Sequence, residues 1–210
     1  TGAKNVGIGR QAGRGISSSS DNVAIGYQSQ YTVHTGQYNV SIGTNSMYYY
    51  AESGDNGYNT AIGGSTLYTL STGNSNSAIG YQAGHLVTTG SNNLCLGSKA
   101  GYNINSLSDN TYLGAESGYY HRGTGNVGIG YKALYNAETD SLADNNGNYN
   151  VAIGMKCMGN STGTTDSYAL TGDYNIGLGY LALSKLASGS SNVALGFTTG
   201  QSLTTASDNK

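Results

Sequence analysis

The sequence of 210 residues contains no proline, no tryptophan, one phenylalanine and only two cysteines, and it is poor in charged residues. Its nine lysine and arginine residues are scattered, whereas a nucleic-acid groove needs a basic stripe to neutralise phosphates. No apolar run approaches the length that spans a bilayer, and residues 1–4 do not resemble the start of a signal peptide. We therefore expect a soluble segment that binds no nucleic acid and inserts nowhere into a membrane.

What the sequence does contain is a repeat that opens with Asn-Val-Ala-Ile-Gly or a variant of it. Six of the ten intervals between openings are 17 residues long. When each opening asparagine is counted as position 0, position 3 is Ile or Leu and position 4 is Gly in all eleven units. Such a period is typical of a solenoid, whose units bury their apolar faces only by stacking on one another. The openings are Asn5, Asn22, Asn39, Asn59, Asn76, Asn93, Asn110, Asn126, Asn150, Asn175 and Asn192.

In most units, apolar residues at positions 1 and 3 flank a small residue at position 2, which predicts a short strand. We expect positions 1 and 3 to face inward, so that Ile79→Asp would cost several kcal/mol. Position 11 often returns an apolar residue, as in Leu70, Val87 and Ile104, and is also expected to point inward. The recurring glycines and the lack of an apolar stripe at helical spacing argue against helices. The opening asparagines either form a hydrogen-bonded ladder along the stack or simply favour corners.

The repeat runs from end to end, so residues 1–210 are predicted to form a single domain. Three extra residues lie within 47–58, and longer insertions lie within 135–149 and 159–174. Insertions in a solenoid are expelled as loops, often on the binding face, although tolerated drift would explain them as well. Cys95 and Cys157 lie three units apart, beyond disulfide reach, and are expected to be free thiols. Each coil has a thin core, which favours association into a closed trimer.

Three stretches of the repeat, at 22–29, 76–84 and 126–133, resemble the head repeats of YadA-like trimeric autotransporter adhesins, and similar repeats occur in phage tail fibres. The resemblance covers essentially the whole chain. It implies an all-β solenoid, a left-handed parallel β-roll of about eleven coils, assembled as a homotrimer. It also implies an extracellular location, on a bacterial surface or a virion fibre, and attachment to a host cell-surface glycan or protein. The coils here are longer than the usual family coil, so the kind of fibre stays open.

Motifs for catalysis or metal binding are weak. Residues 159–163 match Gly-x-Ser-x-Gly, but a nucleophile elbow needs a strand, a sharp turn and a helix. The three histidines, His34, His85 and His121, lie in different units without metal-ligand spacing, and we expect them at the surface. The sequence therefore predicts no enzyme, no catalytic residue, no bound metal and no cofactor.

Tyrosine is abundant, with 19 residues, and the scarcity of other aromatic residues indicates that its hydroxyl matters. Three interpretations remain open for a row at position 9: packing between coils, a trimer interface, or a platform for an external ligand. We take the row as candidate ligand-binding residues whose ring faces would pack against sugar rings. An aromatic ring occupies position 9 in seven consecutive units: Tyr31, Tyr48, Tyr68, His85, Tyr102, Tyr119 and Tyr135.

The predicted function is therefore attachment, as the head or receptor-binding part of a trimeric fibre. The alternative is a purely structural spacer in a viral or cell-surface fibre. Ice binding would need a flat, regular array of threonines, and the threonines of this chain are irregularly placed.

Overall fold

The computed structural model describes residues 3–16, 18–32, 35–49, 57–136, 146–159 and 170–209. Within these ranges there are eleven strands of three residues and no helix, and hence no apolar helix that could cross a bilayer. Each strand begins directly after an opening asparagine. The strands are β1 (Val6–Ile8), β2 (Val23–Ile25), β3 (Val40–Ile42), β4 (Thr60–Ile62), β5 (Ser77–Ile79), β6 (Leu94–Leu96), β7 (Thr111–Leu113), β8 (Val127–Ile129), β9 (Val151–Ile153), β10 (Ile176–Leu178) and β11 (Val193–Leu195).

The eleven strands form one parallel sheet in chain order, and each unit pairs only with the units before and after it. Equivalent positions lie opposite one another, as Ile62 of β4 does with Ile79 of β5. The predicted all-β solenoid is confirmed, with about nine turns instead of the eleven coils predicted. Not every connection between the eleven strands is described in full. The insertions predicted within 135–149 and 159–174 fall largely on 137–145 and 160–169, outside the described residues, as do residues 50–56.

The side chain that each strand points into the solenoid is the middle one, at position 2. Ala24 and Ala61 are fully buried there, whereas positions 1 and 3 face outward and Ile79 is 38% exposed. The predicted orientation is therefore wrong, and so is the expected cost of Ile79→Asp to the fold. Space beside position 2 is limited, because a Cβ added to Gly7 there would lie 3.3 Å from the Ala12 carbonyl oxygen opposite.

The core accordingly combines mostly small side chains at positions 2 and 7 with larger ones at position 11 and, where it is not glycine, at position 8. The inward direction predicted for position 11 is confirmed by Leu70, Val87 and Ile104, which are fully buried. One unit departs from the pattern, because Tyr112 is fully buried at position 2. The Tyr112 ring occupies the space beside Gly118, where a Cβ would lie only 2.4 Å from the ring.

Both cysteines lie in this core. Cys95 and Cys157 are buried and free, as predicted. Burial raises the pKa of each thiol to about 12, because a thiolate would lose its hydration there. Neither side chain is therefore ionised at neutral pH.

The corner after each strand requires glycine. Position 4 has φ between +121° and +138° in all eleven units, a region that side chains other than glycine's rarely adopt. The coils also approach closely there. A Cβ added to Gly63 would lie 2.4 Å from the carbonyl oxygen of Gly80 in the next coil. The column of glycines thus allows the coils to stack at strand spacing.

Of the two interpretations of the opening asparagines, the hydrogen-bonded ladder is confirmed. At all eleven steps from Asn5 to Asn209, the backbone N–H of one ladder asparagine donates to the side-chain oxygen of the one before. Asn93 also donates its side-chain amide to Asn76 Oδ1, at 3.0 Å, and to the carbonyl oxygen of Leu107 in its own coil, at 2.8 Å. The ladder therefore both joins neighbouring coils and closes each coil on itself.

Candidate ligand-binding surface

The seven predicted residues at position 9 form one continuous row of rings, here called the tyrosine ladder. Successive ring centroids lie 4.8 to 5.6 Å apart, and all rings but the last are nearly parallel, with interplanar angles of 14° or less. Tyr135 ends the row at an angle of 40° to Tyr119. The structure thus brings all seven residues together, and it shows that they pack between coils.

The local backbone explains why position 9 projects outward. The residue before it, at position 8, is in the left-handed region, as in Leu67 with φ of 46° and Gly101 with φ of 57°. Leu67 is buried, and the ring that follows it, Tyr68, lies half-buried at the surface. Because the same turn recurs in each coil, the rings stack with the spacing of the strands.

Stacking decides which parts of the rings a ligand can reach. Each inner ring has a neighbour on both faces, so its edge and hydroxyl are the parts left for contact. Tyr49 covers part of that edge, packing at near right angles against Tyr48 and Tyr68 at 4.6 and 5.2 Å between centroids. Face-on packing of a sugar, which we predicted for this row, therefore has no room at the inner rungs.

Cations lie at both ends of the ladder. The Arg14 guanidinium lies 5.1 Å from the Tyr31 ring centroid and donates a hydrogen bond to its hydroxyl. At the other end, the Lys132 ammonium lies 4.7 Å from the Tyr135 ring centroid and 3.4 Å from a Glu116 oxygen. Partial burial lowers the pKa of Lys132, but the Glu116 carboxylate and neighbouring tyrosines raise it overall. Lys132 therefore remains charged.

Three hydroxyls of the ladder are favoured in their neutral form. Partial burial, together with neighbouring phenols, raises the pKa of Tyr48, Tyr68 and Tyr119 above the ordinary tyrosine value. His85 interrupts the row, with its Nδ1 2.8 Å from the Ser65 carbonyl oxygen, to which an N–H must donate. The ladder can therefore offer a ligand neutral hydrogen-bonding groups at regular spacing.

A second surface is the outer face of the sheet. We expected its side chains to lie inside the solenoid. Position 3 supplies an unbroken row of Ile and Leu through all eleven strands, here called the apolar column. Ile8, Leu96 and Leu195 are among its exposed members. At a strand spacing of about 4.8 Å, the column is roughly 48 Å long. Contiguous exposed apolar surfaces are typical of interaction sites.

Two pairs of exposed tyrosines were also missed. Each of these tyrosines lies directly before an opening asparagine, at the last position of its unit. This position is outside the strand, so the alternation of apolar residues in the strand does not predict its orientation. Tyr38 stacks on Tyr58 at 5.1 Å and 15°, and Tyr149 stacks on Tyr174 at 5.3 Å and 9°. The signal in the sequence is the Tyr-Asn dipeptide, which occurs at these four openings.

We expected His121 at the surface, but the structure places it in the core. It occupies position 11, a core position, and is fully buried. Its Nδ1 lies 2.8 Å from the Asn136 side-chain nitrogen, and its ring is nearly perpendicular to that of Tyr112. Burial lowers the pKa of His121 to about 4, because the charged form would lose its hydration. His85 lies half-buried in the ladder, and His34 is outside the described residues.

Protonation of His121 should destabilise the fold in acid. Its pKa is about 4 in the folded chain and 6.5 in the reference state, so the stabilising effect of the neutral form is complete above pH 6.5. As the pH falls from 6.5 through about 4, this contribution to the free energy of unfolding is lost, up to about 3 kcal/mol. We expect urea midpoints at pH 7 and pH 4.5 to differ less in His121→Leu than in the unmodified chain. An equal fall in both would contradict a neutral, buried histidine.

The weak catalytic and metal motifs gain no support from the described residues. Of the Gly-x-Ser-x-Gly match at 159–163, only the first glycine is described. Within the described ranges, no three His, Cys, Asp or Glu side chains lie together in a way that could hold a metal ion.

Comparison with protein-family models, with curated proteins and with solved structures gives no match to this chain. The resemblance to YadA-like head repeats therefore remains an expectation, carried by the repeat residues themselves.

Proposed function

We propose that this chain is the attachment part of a homotrimeric fibre, in which three β-solenoids associate through their apolar columns. The proposal includes the left-handed coiling and the extracellular location that the resemblance implies. The single observation that carries it is the unbroken row of outward Ile and Leu along the sheet.

Another copy of the same chain is the partner that fits this surface. The apolar column repeats once per coil, and a second copy presents the same side chains with the same spacing. Chains related by a threefold axis along the rod would bring equivalent coils to the same height. A closed threefold arrangement also limits assembly to three copies, because the rotation returns to its start.

The tyrosine ladder is the proposed contact for a host-surface glycan or protein. Its rings lie along the rod with a centroid spacing near 5 Å, and cations flank both ends. Such a surface is long and shallow, and it suits a polymeric ligand held by repeated weak contacts. Three copies in one fibre would multiply these contacts.

Removal of hydroxyls from the ladder tests this role. We expect the double variant Tyr68→Phe/Tyr102→Phe to melt like the unmodified chain, because the ring stacking remains. On a glycan array and on host cells its binding should fall roughly threefold to tenfold per lost hydrogen bond. The matched control is Tyr81→Phe, an exposed tyrosine outside the ladder. Unchanged binding by the double variant would rule out the ladder hydroxyls as the contact.

The structural spacer is the second candidate function, and the stacked ring faces favour it. The rings of the ladder make their closest contacts with one another, as expected if they stiffen a rod. A spacer would form the same trimer. It would bind neither the glycan array nor host cells, whichever tyrosines were present.

A further inference from the structure

Among the described residues, the two exposed tyrosine pairs differ from the inner rings of the ladder in having a ring face that no other ring covers. Tyr58 is 66% exposed and Tyr174 is 60% exposed. One face of each ring is covered by its stacked partner, Tyr38 or Tyr149. At the equivalent position of the next coil each is followed by a serine, Ser75 or Ser191, which is too small to cover the second face.

We propose that Tyr58 and Tyr174 are two sugar-binding platforms, each taking a hexopyranose of a β-linked, gluco-configured polysaccharide on its open ring face. This inference rests on the proposed attachment function and places the sugar at a surface other than the ladder. Glucose and N-acetylglucosamine carry their ring substituents equatorially, so both faces of the sugar present axial C–H groups. Such a face is the natural partner of an uncovered phenol ring, while the phenol hydroxyl can bond the sugar's edge.

A polar cleft runs along the ring edges of the first pair, in the coils of Tyr38 and Tyr58. Thr35, Gln37, Tyr38, Gly57 and Tyr58 line an open cleft of about 240 Å³. The Gln37 side chain is exposed there, in the coil of Tyr38. Its amide donor and acceptor lie beside the ring edges of the pair, where they can bond the hydroxyls of a sugar that extends past the edge of Tyr58. An aromatic wall with a few convergent polar groups is typical of carbohydrate and small-molecule sites.

The second platform repeats the ring stacking of the first. The inner ring of its pair, Tyr149, lies over a backbone without a side chain, since a Cβ added to Gly125 would lie 2.6 Å from the Tyr149 ring. Tyr174 therefore stands at the outer end of its stack, as Tyr58 does. The two open faces point in the same direction along the rod and lie six coils apart, about 29 Å.

The stacking direction sets how a polymer would lie. The rings stack coil upon coil, so their planes lie across the rod axis. A sugar packed on such a face has its ring plane across the axis too. A polysaccharide would therefore cross the rod, and the two platforms would hold separate stretches of polymer.

The residues between the two pairs favour a local binding site at each pair and not a continuous interface between chains. Along the same row of positions, the other members include Asp21, Ser75, Asn92, Asp109 and Ser191, all small or polar. An interface running the whole rod would need apolar side chains at each coil, as the apolar column has. The tyrosines instead occur only in pairs, and each pair brackets a unit longer than 17 residues, 39–58 or 150–174.

An NMR titration of the full chain with cellohexaose and chitohexaose tests the platforms, with the tyrosine rings labelled with ¹³C. Loss of a signal in Tyr58→Ala and in Tyr174→Ala identifies the two rings. We expect either oligosaccharide to shift both signals, and each single variant to lose one site while the other responds as before. The double variant should lose at least tenfold in affinity. Tyr81→Ala, which removes a ring that is 57% exposed, is the matched control and should bind like the unmodified chain.

Three outcomes would overturn the proposal. The first is that neither ring responds to either oligosaccharide, and the second is that the double variant binds as tightly as the unmodified chain. The third is a fall in the mass of the assembly in the double variant, which would place the pairs in a contact between chains. A glycan-array signal that survives in the double variant would leave the attachment function standing while rejecting these platforms.

Discussion

Replacing Asn93 by alanine should destabilise the solenoid by roughly 3–5 kcal/mol, because the substitution leaves several buried polar groups without partners. The Asn110 backbone N–H and side-chain amide would lose their acceptor, at 3.1 and 3.3 Å, and the Leu107 carbonyl oxygen would lose its donor, at 2.8 Å. Asn93 and Asn110 are both buried, so water cannot easily replace these bonds. Urea unfolding followed by far-ultraviolet circular dichroism measures the change.

Asn103→Ala is the matched control for that prediction. Asn103 is half-buried in the same part of the rod, and it is not a member of the ladder. Its substitution should change the unfolding free energy by less than about 1 kcal/mol. If Asn93→Ala unfolded at the same urea concentration as Asn103→Ala, the ladder would be a consequence of stacking and would not hold the coils together.

Gly63→Ala should cost roughly 2–5 kcal/mol, from backbone strain and from a clash between coils. Gly63 has φ of +133°, and the added methyl group would lie 2.4 Å from the carbonyl oxygen of Gly80. Backbone of the next coil cannot move aside without disturbing the strand pairing between β4 and β5. Thermal melting and urea unfolding should both show the loss.

The neighbouring glycine provides the control. A Cβ added to Gly64 would meet only the Tyr81 ring, at an ordinary contact distance of 3.5 Å. Gly64→Ala should therefore change stability by less than about 1 kcal/mol, and a slight gain is expected from the stiffer unfolded chain. Equal losses in the two variants would show that the corner does not specifically require glycine.

Much of the architecture could be predicted because it depends on the repeat itself. The interval of 17 residues places like residues above like, and that alone predicts the parallel sheet, the asparagine ladder and the row of rings at position 9. The fully buried Leu70 and Val87 confirm that position 11 points inward. These features follow from periodicity and do not depend on which face of the strand is inside.

The direction of the strand side chains could not be predicted from alternation, because a period of two fits either face. The residue that decides it is the small one at position 2. Ala24 and Ala61 are small because the opposite wall of the coil is within contact distance, and the larger Ile25 and Ile62 must then face outward. Small residues at the middle of every strand but β7 were the available signal for a thin interior.

The exposed tyrosine pairs and the buried His121 were missed for a related reason. Tyr58 and Tyr174 lie at the last position of their units, outside the strand, where composition varies from coil to coil. His121 occupies a position that is apolar in other units, so its burial follows from the alignment of the units and not from its own chemistry. Contacts between rings in coils of unequal length also do not follow from a fixed repeat interval.

The association of three chains through the apolar column is the central claim, and sedimentation equilibrium of the unmodified chain tests it most directly. The proposal predicts a mass of about 65 kDa, three times the chain mass of 21.6 kDa. Ile79→Asp, which places a charge on the column, should fold but sediment as a single chain. A stable 21.6 kDa species of the unmodified chain at micromolar concentration would contradict the account.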